Sequence, residues 1–116
     1  MRRLVFLIAL LSAPAIAGDV EITEAKARKS GDAWRFDVTL LHADTGWDHY
    51  ADAWRVVGPD GTVYGTRVLA HPHVNEQPFT RSLGGVKIPE SVSQVTIEAK
   101  DSVHGWAEAV FTLDLQ

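Results

Sequence analysis

Five histidines, His42, His49, His71, His73 and His104, are the residues of this chain best suited to chemistry. Neutral imidazole is the commonest side-chain ligand for Zn²⁺ and Cu²⁺. His71-Pro72-His73 forms an H-x-H pair, and in an extended segment the period of two turns both rings to one side. The expected centre is built on His71 and His73. Further ligands would come from His42, which continues the core-facing parity of the segment before it, from His104, or from His49. Asp44, Asp48, Glu76 and Asp101 stand close by in sequence, as alternative ligands or as acceptors that fix imidazole tautomers. The chain has no Cys, and its one Met is Met1, so thiolate and thioether ligands are absent. Nitrogen and oxygen donors favour Zn²⁺ or Cu²⁺ over Cu⁺. The competing reading is structural. H-x-H is short and common, loop histidines are often only solvated, His42 could be a core-edge residue bonded to a carbonyl, and His104 could brace a loop.

Other chemistry is less well supplied. Trp47, Tyr50 and Trp106 could form an aromatic platform for a glycan or protein partner; the alternative is that Trp47 and Trp106 close an open end of the core. Asp101-Ser102-Val103-His104 has the residue types of a hydrolytic triad, but triads need convergence in space, which neighbours on one loop rarely achieve. The chain lacks a G-x-S-x-G elbow, an H-E-x-x-H helix and a phosphate-binding glycine loop. Metal-dependent hydrolysis, with Glu76 or Asp101 as base, would need an open coordination position. Arg81 reads as a structural anchor paired to a carboxylate of a neighbouring strand, or as a fork for an anionic ligand. No residue is assigned a catalytic role, and no cofactor beyond Zn²⁺ or Cu²⁺ is implied. The leading expectation is metal carriage, sensing or loop stabilisation rather than turnover. An interaction module without metal, using the three aromatic residues, is the alternative.

The elements that must position these groups are strands. Segments between Gly/Pro clusters alternate with period two, predicting strands over 20–29, 33–42, 50–57, 62–69, 79–83, 93–99 and 109–115. Trp34, Phe36, Val38 and Leu40 share one face; Arg35, Asp37 and Thr39 share the other. Gly58-Pro59-Asp60-Gly61 is a turn, because Pro presets φ and Gly tolerates a positive φ. Two prolines keep His71 to Pro78 out of a sheet. About seven short strands predict an all-β antiparallel sandwich of immunoglobulin or fibronectin type III kind, without the Cys pair of antibody domains. Hairpin threading then carries the connections at 43–49, 71–78 and 101–106 to one end, and all five histidines with them.

Residues 1–17 have a charged start (Arg2, Arg3), an apolar run from Leu4 to Leu11 and Ala15-Ile16-Ala17, the pattern of a secretory signal peptide. The run is too short to span a bilayer. Removing 17 of 116 residues leaves a single domain, 18–116, of 99 residues with 9 basic and 15 acidic side chains. Such an acidic domain is poorly suited to a phosphate backbone, so no nucleic-acid partner is expected. The stretches Thr45-Gly46-Trp47-Asp48-His49-Tyr50-Ala51-Asp52, His71-Pro72-His73-Val74-Asn75-Glu76-Gln77-Pro78-Phe79-Thr80 and Asp101-Ser102-Val103-His104-Gly105-Trp106 resemble those of small exported bacterial β-sandwich proteins of unassigned activity. The resemblance covers most of the mature chain. It implies a periplasmic or secreted bacterial setting and brings no activity or site residue with it.

Overall fold

Period-two alternation dictates the architecture. The structure, a computed structural model, describes residues 19–115; the expected leader at 1–17 lies outside the described residues. Eight strands follow in order: β1 (Glu21–Ser30), β2 (Ala33–Leu41), β3 (Ala51–Val57), β4 (Val63–Val68), β5 (Phe79–Val86), β6 (Gln94–Asp101), β7 (Gly105–Trp106) and β8 (Phe111–Asp114). They form two antiparallel sheets packed as a sandwich. One sheet has the order β1-β2-β5, and the other the order β4-β3-β6, with β7 and β8 both paired along the free edge of β6.

In β2 the even-numbered residues Trp34, Phe36, Val38 and Leu40 are buried, and in β6 the odd-numbered Val95, Ile97 and Ala99 are. These two rows face each other across the sandwich, with Trp54 and Val56 of β3 completing the centre. Each large side chain buried this fully contributes on the order of 1.5–3 kcal/mol. With no Cys in the chain, this apolar contact takes the place of disulfide staples.

Among the described residues the strands number eight, where about seven were expected. The extra element, β7, is only two residues long and pairs Lys100 with Trp106 and Asp101 with Gly105. Gly105, at φ 78°, permits the reversal that brings it back. So short a piece leaves no alternation to read. β5 also continues to Val86 instead of closing at Leu83, because a register shift opposite Trp34 and Phe36 absorbs Gly84-Gly85 as a bulge. The last strand contracts to Phe111–Asp114. The predicted turn at 58–61 is present: Gly61 N–H donates to the Gly58 carbonyl at 3.0 Å, and Asp60 Oδ1 accepts from Thr62 N–H at 3.0 Å.

Hairpin threading brings the histidine-bearing connections to one pole. Ser102 N–H donates to the Tyr50 carbonyl at 2.9 Å, and His73 N–H donates to Asp44 Oδ2 at 2.7 Å. Three connections thus meet where β2, β4 and β6 end and β3 and β5 begin. Among the described residues no helix is long and apolar enough to cross a membrane.

Candidate metal centre

His42 and Asp44 continue the buried parity of β2 one and two steps past its end, and Asp101 continues that of β6. Alternation therefore drives polar side chains into a place where apolar ones would normally close the core. Asp101 is 1% exposed and His42 3%. Burying such groups is costly unless they are paired. They are: His42 Nδ1 lies 2.5 Å from Asp44 Oδ1, and Asp44 also accepts from Ala51 N–H at 3.0 Å. Because an ionised carboxylate only accepts, Nδ1 carries the hydrogen, which leaves Nε2 as the ring's other nitrogen. That Nε2 faces Asp101 Oδ2 at 3.6 Å.

His49 approaches from the start of β3. Its Nε2 is 3.3 Å from Asp101 Oδ1 and is buried without a hydrogen-bond partner among the described residues. The His42 and His49 rings meet edge to face at 4.8 Å between centroids. One ligand atom each from His42, His49 and Asp101 lies within 4.8 Å of the others. Ligand atoms on a tetrahedral ion with bonds of about 2.0–2.1 Å stand about 3.3 Å apart, so small rotamer adjustments would bring these onto one ion.

His104 stands at the outer edge. Its ring Nδ1 lies 3.1 Å and 3.2 Å from the two Asp101 oxygens, and 4.0 Å from Asp19 Oδ1. Asp19, Asp101 and His104 make a second close group, sharing Asp101 with the first. Asp101 Oδ1 accepts the amide hydrogens of Val103 and His104 at 2.9 Å and 2.7 Å. This leaves Oδ2, between His42 Nε2 and His104 Nδ1, as the oxygen suited to an ion. One carboxylate oxygen so placed suits a single ion better than two. Burial works to raise the Asp101 pKa, but the His104 and Val103 amides and the His104 ring outweigh it, so the carboxyl sits below its ordinary range.

His71 and His73 stand outside both groups. Their rings are neighbours, 4.6 Å between centroids, as the H-x-H spacing requires. Yet His73 stacks on Phe79 at 3.9 Å, and its Nε2 accepts from Arg81 Nη2 at 2.8 Å. The guanidinium occupies the position an ion would take. Burial first, then the charges of Arg81 and His71, hold the His73 pKa below the usual imidazole value. His71 is exposed and lies 2.9 Å from the Pro72 carbonyl through Nδ1. Glu76 is exposed and pairs with Arg81 at 3.3 Å, while Asp48 is exposed. Arg81 is an anchor, but its carboxylate comes from the connection before its own strand rather than from a neighbouring strand, and it holds the His73 imidazole as well.

The aromatic residues do not close the core. Trp47 is 68% exposed and touches Tyr50 edge to face at 5.6 Å. Trp106 is 36% exposed, but the Arg55 guanidinium lies 3.7 Å from its ring centroid and covers one face. Two surface hollows, of about 280 and 390 Å³, are both lined by Trp34 at the opposite end of the molecule.

The sequence signal for Asp44 and Asp101 was present in the alternation: each is an acid on an inward-facing parity. For His49 there was none, since the bulge between Ala51 and Ala53 uncouples its direction from β3.

Fold and site together define a β-sandwich with a buried histidine–aspartate cluster at one pole. The chain is similar to a protein of Halomicrobium mukohataei described as "Putative lipoprotein", at 37% identity over 100 residues that make up 86% of this chain. It spans about half of that relative, 48% of its length. No protein-family model matches the chain, and no solved structure matches it.

Proposed function

We propose that this is an exported β-sandwich that holds one divalent transition metal, Zn²⁺ or Cu²⁺, through His42, His49 and Asp101, with the His104 ring bracing Asp101 from the outer edge. One observation carries the reading: one ligand atom each from His42, His49 and Asp101 lies within 4.8 Å of the others in a buried pole, while Asp44 holds Nδ1 of His42. A carboxylate behind a ligating imidazole is the arrangement that fixes ring direction and raises basicity in metal sites. The donor set, two imidazoles and one carboxylate, suits Zn²⁺ and Cu²⁺.

Export is supported by the leader pattern at 1–17 and by the description of the relative. The immunoglobulin-like reading is supported by strand assignment: first, second and fifth strands in one sheet, third, sixth and last in the other. Metal-dependent hydrolysis would need a substrate cleft at the same pole.

The test is metal uptake by metal-free protein. One equivalent of Zn²⁺ or Co²⁺ is expected in wild type and in His71→Ala/His73→Ala, and none in His42→Ala/His49→Ala. Uptake that survives the second double substitution, or no stoichiometric uptake in wild type, overturns the reading. A second reading, a partner-binding patch, is favoured by exposed Trp47 with half-buried Tyr50 alone, because Arg55 already occupies a face of Trp106.

A further inference from the structure

His42 is held at two points by groups that bind no ion themselves. Its ring Nδ1 meets Asp44 Oδ1, and its backbone N–H donates to Gln77 Oε1 at 2.9 Å. The same Gln77 side chain donates through Nε2 to the His73 carbonyl at 2.9 Å. His73 N–H in turn donates to Asp44 Oδ2 at 2.7 Å. The four contacts close a circuit, His42 to Gln77 to His73 to Asp44 and back. Each end of the Gln77 amide is used according to its chemistry, oxygen accepting and nitrogen donating.

From this circuit we infer that Gln77 is a positioning residue of the metal centre. The connection between β4 and β5 therefore belongs to the centre although it contributes no ligand. The inference rests on the metal reading above. The His42 backbone is fixed by Gln77 and its ring by Asp44, and Asp44 is fixed in turn by the His73 amide. Removing Gln77 leaves the His42 N–H without its acceptor, although Asp44 N–H still donates to the His42 carbonyl at 2.8 Å, and loosens the segment that steadies Asp44. Both changes blur the direction of Nε2. Linkage is reciprocal: a circuit that tightens ion binding is itself tightened by the ion, by the same factor. An occupied site should thus slow opening of the segment around His73, which carries Glu76 and leads into Arg81.

The experiment uses the full chain, purified metal-free, and titrates it with Co²⁺. Gln77→Ala is expected to weaken binding about 10–100-fold, the usual cost of losing an outer-shell partner. It should also shift or broaden the visible Co²⁺ absorption, because the ligand field depends on imidazole direction. Gln77→Glu keeps an acceptor for the His42 amide but loses the donor to His73, so its affinity should fall between the two. Amide exchange at His73 should slow on metal binding in wild type and much less in Gln77→Ala. If Gln77→Ala does not fold, as judged by circular dichroism, Gln77→Glu carries the test. Affinity within twofold of wild type overturns the role of Gln77 and leaves the metal site standing. Weaker binding with an unchanged Co²⁺ spectrum and unchanged protection also overturns it, since the residue would then be only structural. No stoichiometric Co²⁺ uptake in wild type removes the metal reading and this inference together.

Discussion

Asp101 is the position where a conservative change should separate architecture from ion binding most clearly. Asp101→Asn keeps the shape and one oxygen, and that oxygen can still accept the Val103 and His104 amides. It loses the negative charge beside His42, His49 and His104. Hydrogen bonds to a charged group are worth about 1.5–3 kcal/mol and neutral ones about 0.5–1.5, so converting two of them costs about 2–3 kcal/mol. Burial of Asp101, 1% exposed, justifies using the undiluted figures. For a domain of this size each kcal/mol moves Tm by about 4–8 °C, giving a fall of about 10–20 °C in chelator. The second arm adds Zn²⁺ at about 100 times its Kd, which should stabilise wild type by about 2.7 kcal/mol. The variant should show little or none of that gain. Thermal unfolding followed by circular dichroism, with and without chelator, reads both arms. An Asn variant within 2 °C of wild type in chelator, or one with the full Zn²⁺ response, would refute the reasoning.

Two further outcomes follow from the same geometry. His73 is neutral in the fold, because burial and the Arg81 guanidinium depress its pKa, while the unfolded chain takes up a proton near pH 6.5. Its contribution is therefore complete above about pH 6.5 and declines as pH falls from there toward the depressed folded value. Urea midpoints of wild type and His73→Phe from pH 7.5 down to 5 should differ in slope; parallel curves would contradict this. Trp47→Ala, at a side chain 68% exposed, should leave stability within about 0.5 kcal/mol. A larger loss in urea unfolding would mean that Trp47 supports the fold after all.

How much of this was legible beforehand varies residue by residue. Trp34, Phe36, Val38 and Leu40 announced β2, and the turn at 58–61 announced the next hairpin, because both depend on local chemistry. The common pole followed from antiparallel threading, which needs only the order of turns. His42 could be placed by parity. β7 could not, because two residues carry no period. The choice among the histidines failed to follow spacing: His71 and His73 are the better pair in sequence, yet Arg81, eight residues past His73, takes the nitrogen an ion would use. Nothing local indicates that contact.

The amino-acid order by itself determined an all-strand chain, its apolar rows, the donor types available to a cation and the end at which they gather. Each of these follows from side-chain alternation, turn residues or the lack of sulfur ligands. The tertiary structure alone decided which imidazoles converge. That choice depends on angles between strands of different sheets, on a bulge that redirects His49 and on the buried acid at the end of β6. Distances between loops about 50 residues apart are set by packing of the whole sandwich, and no short segment encodes them.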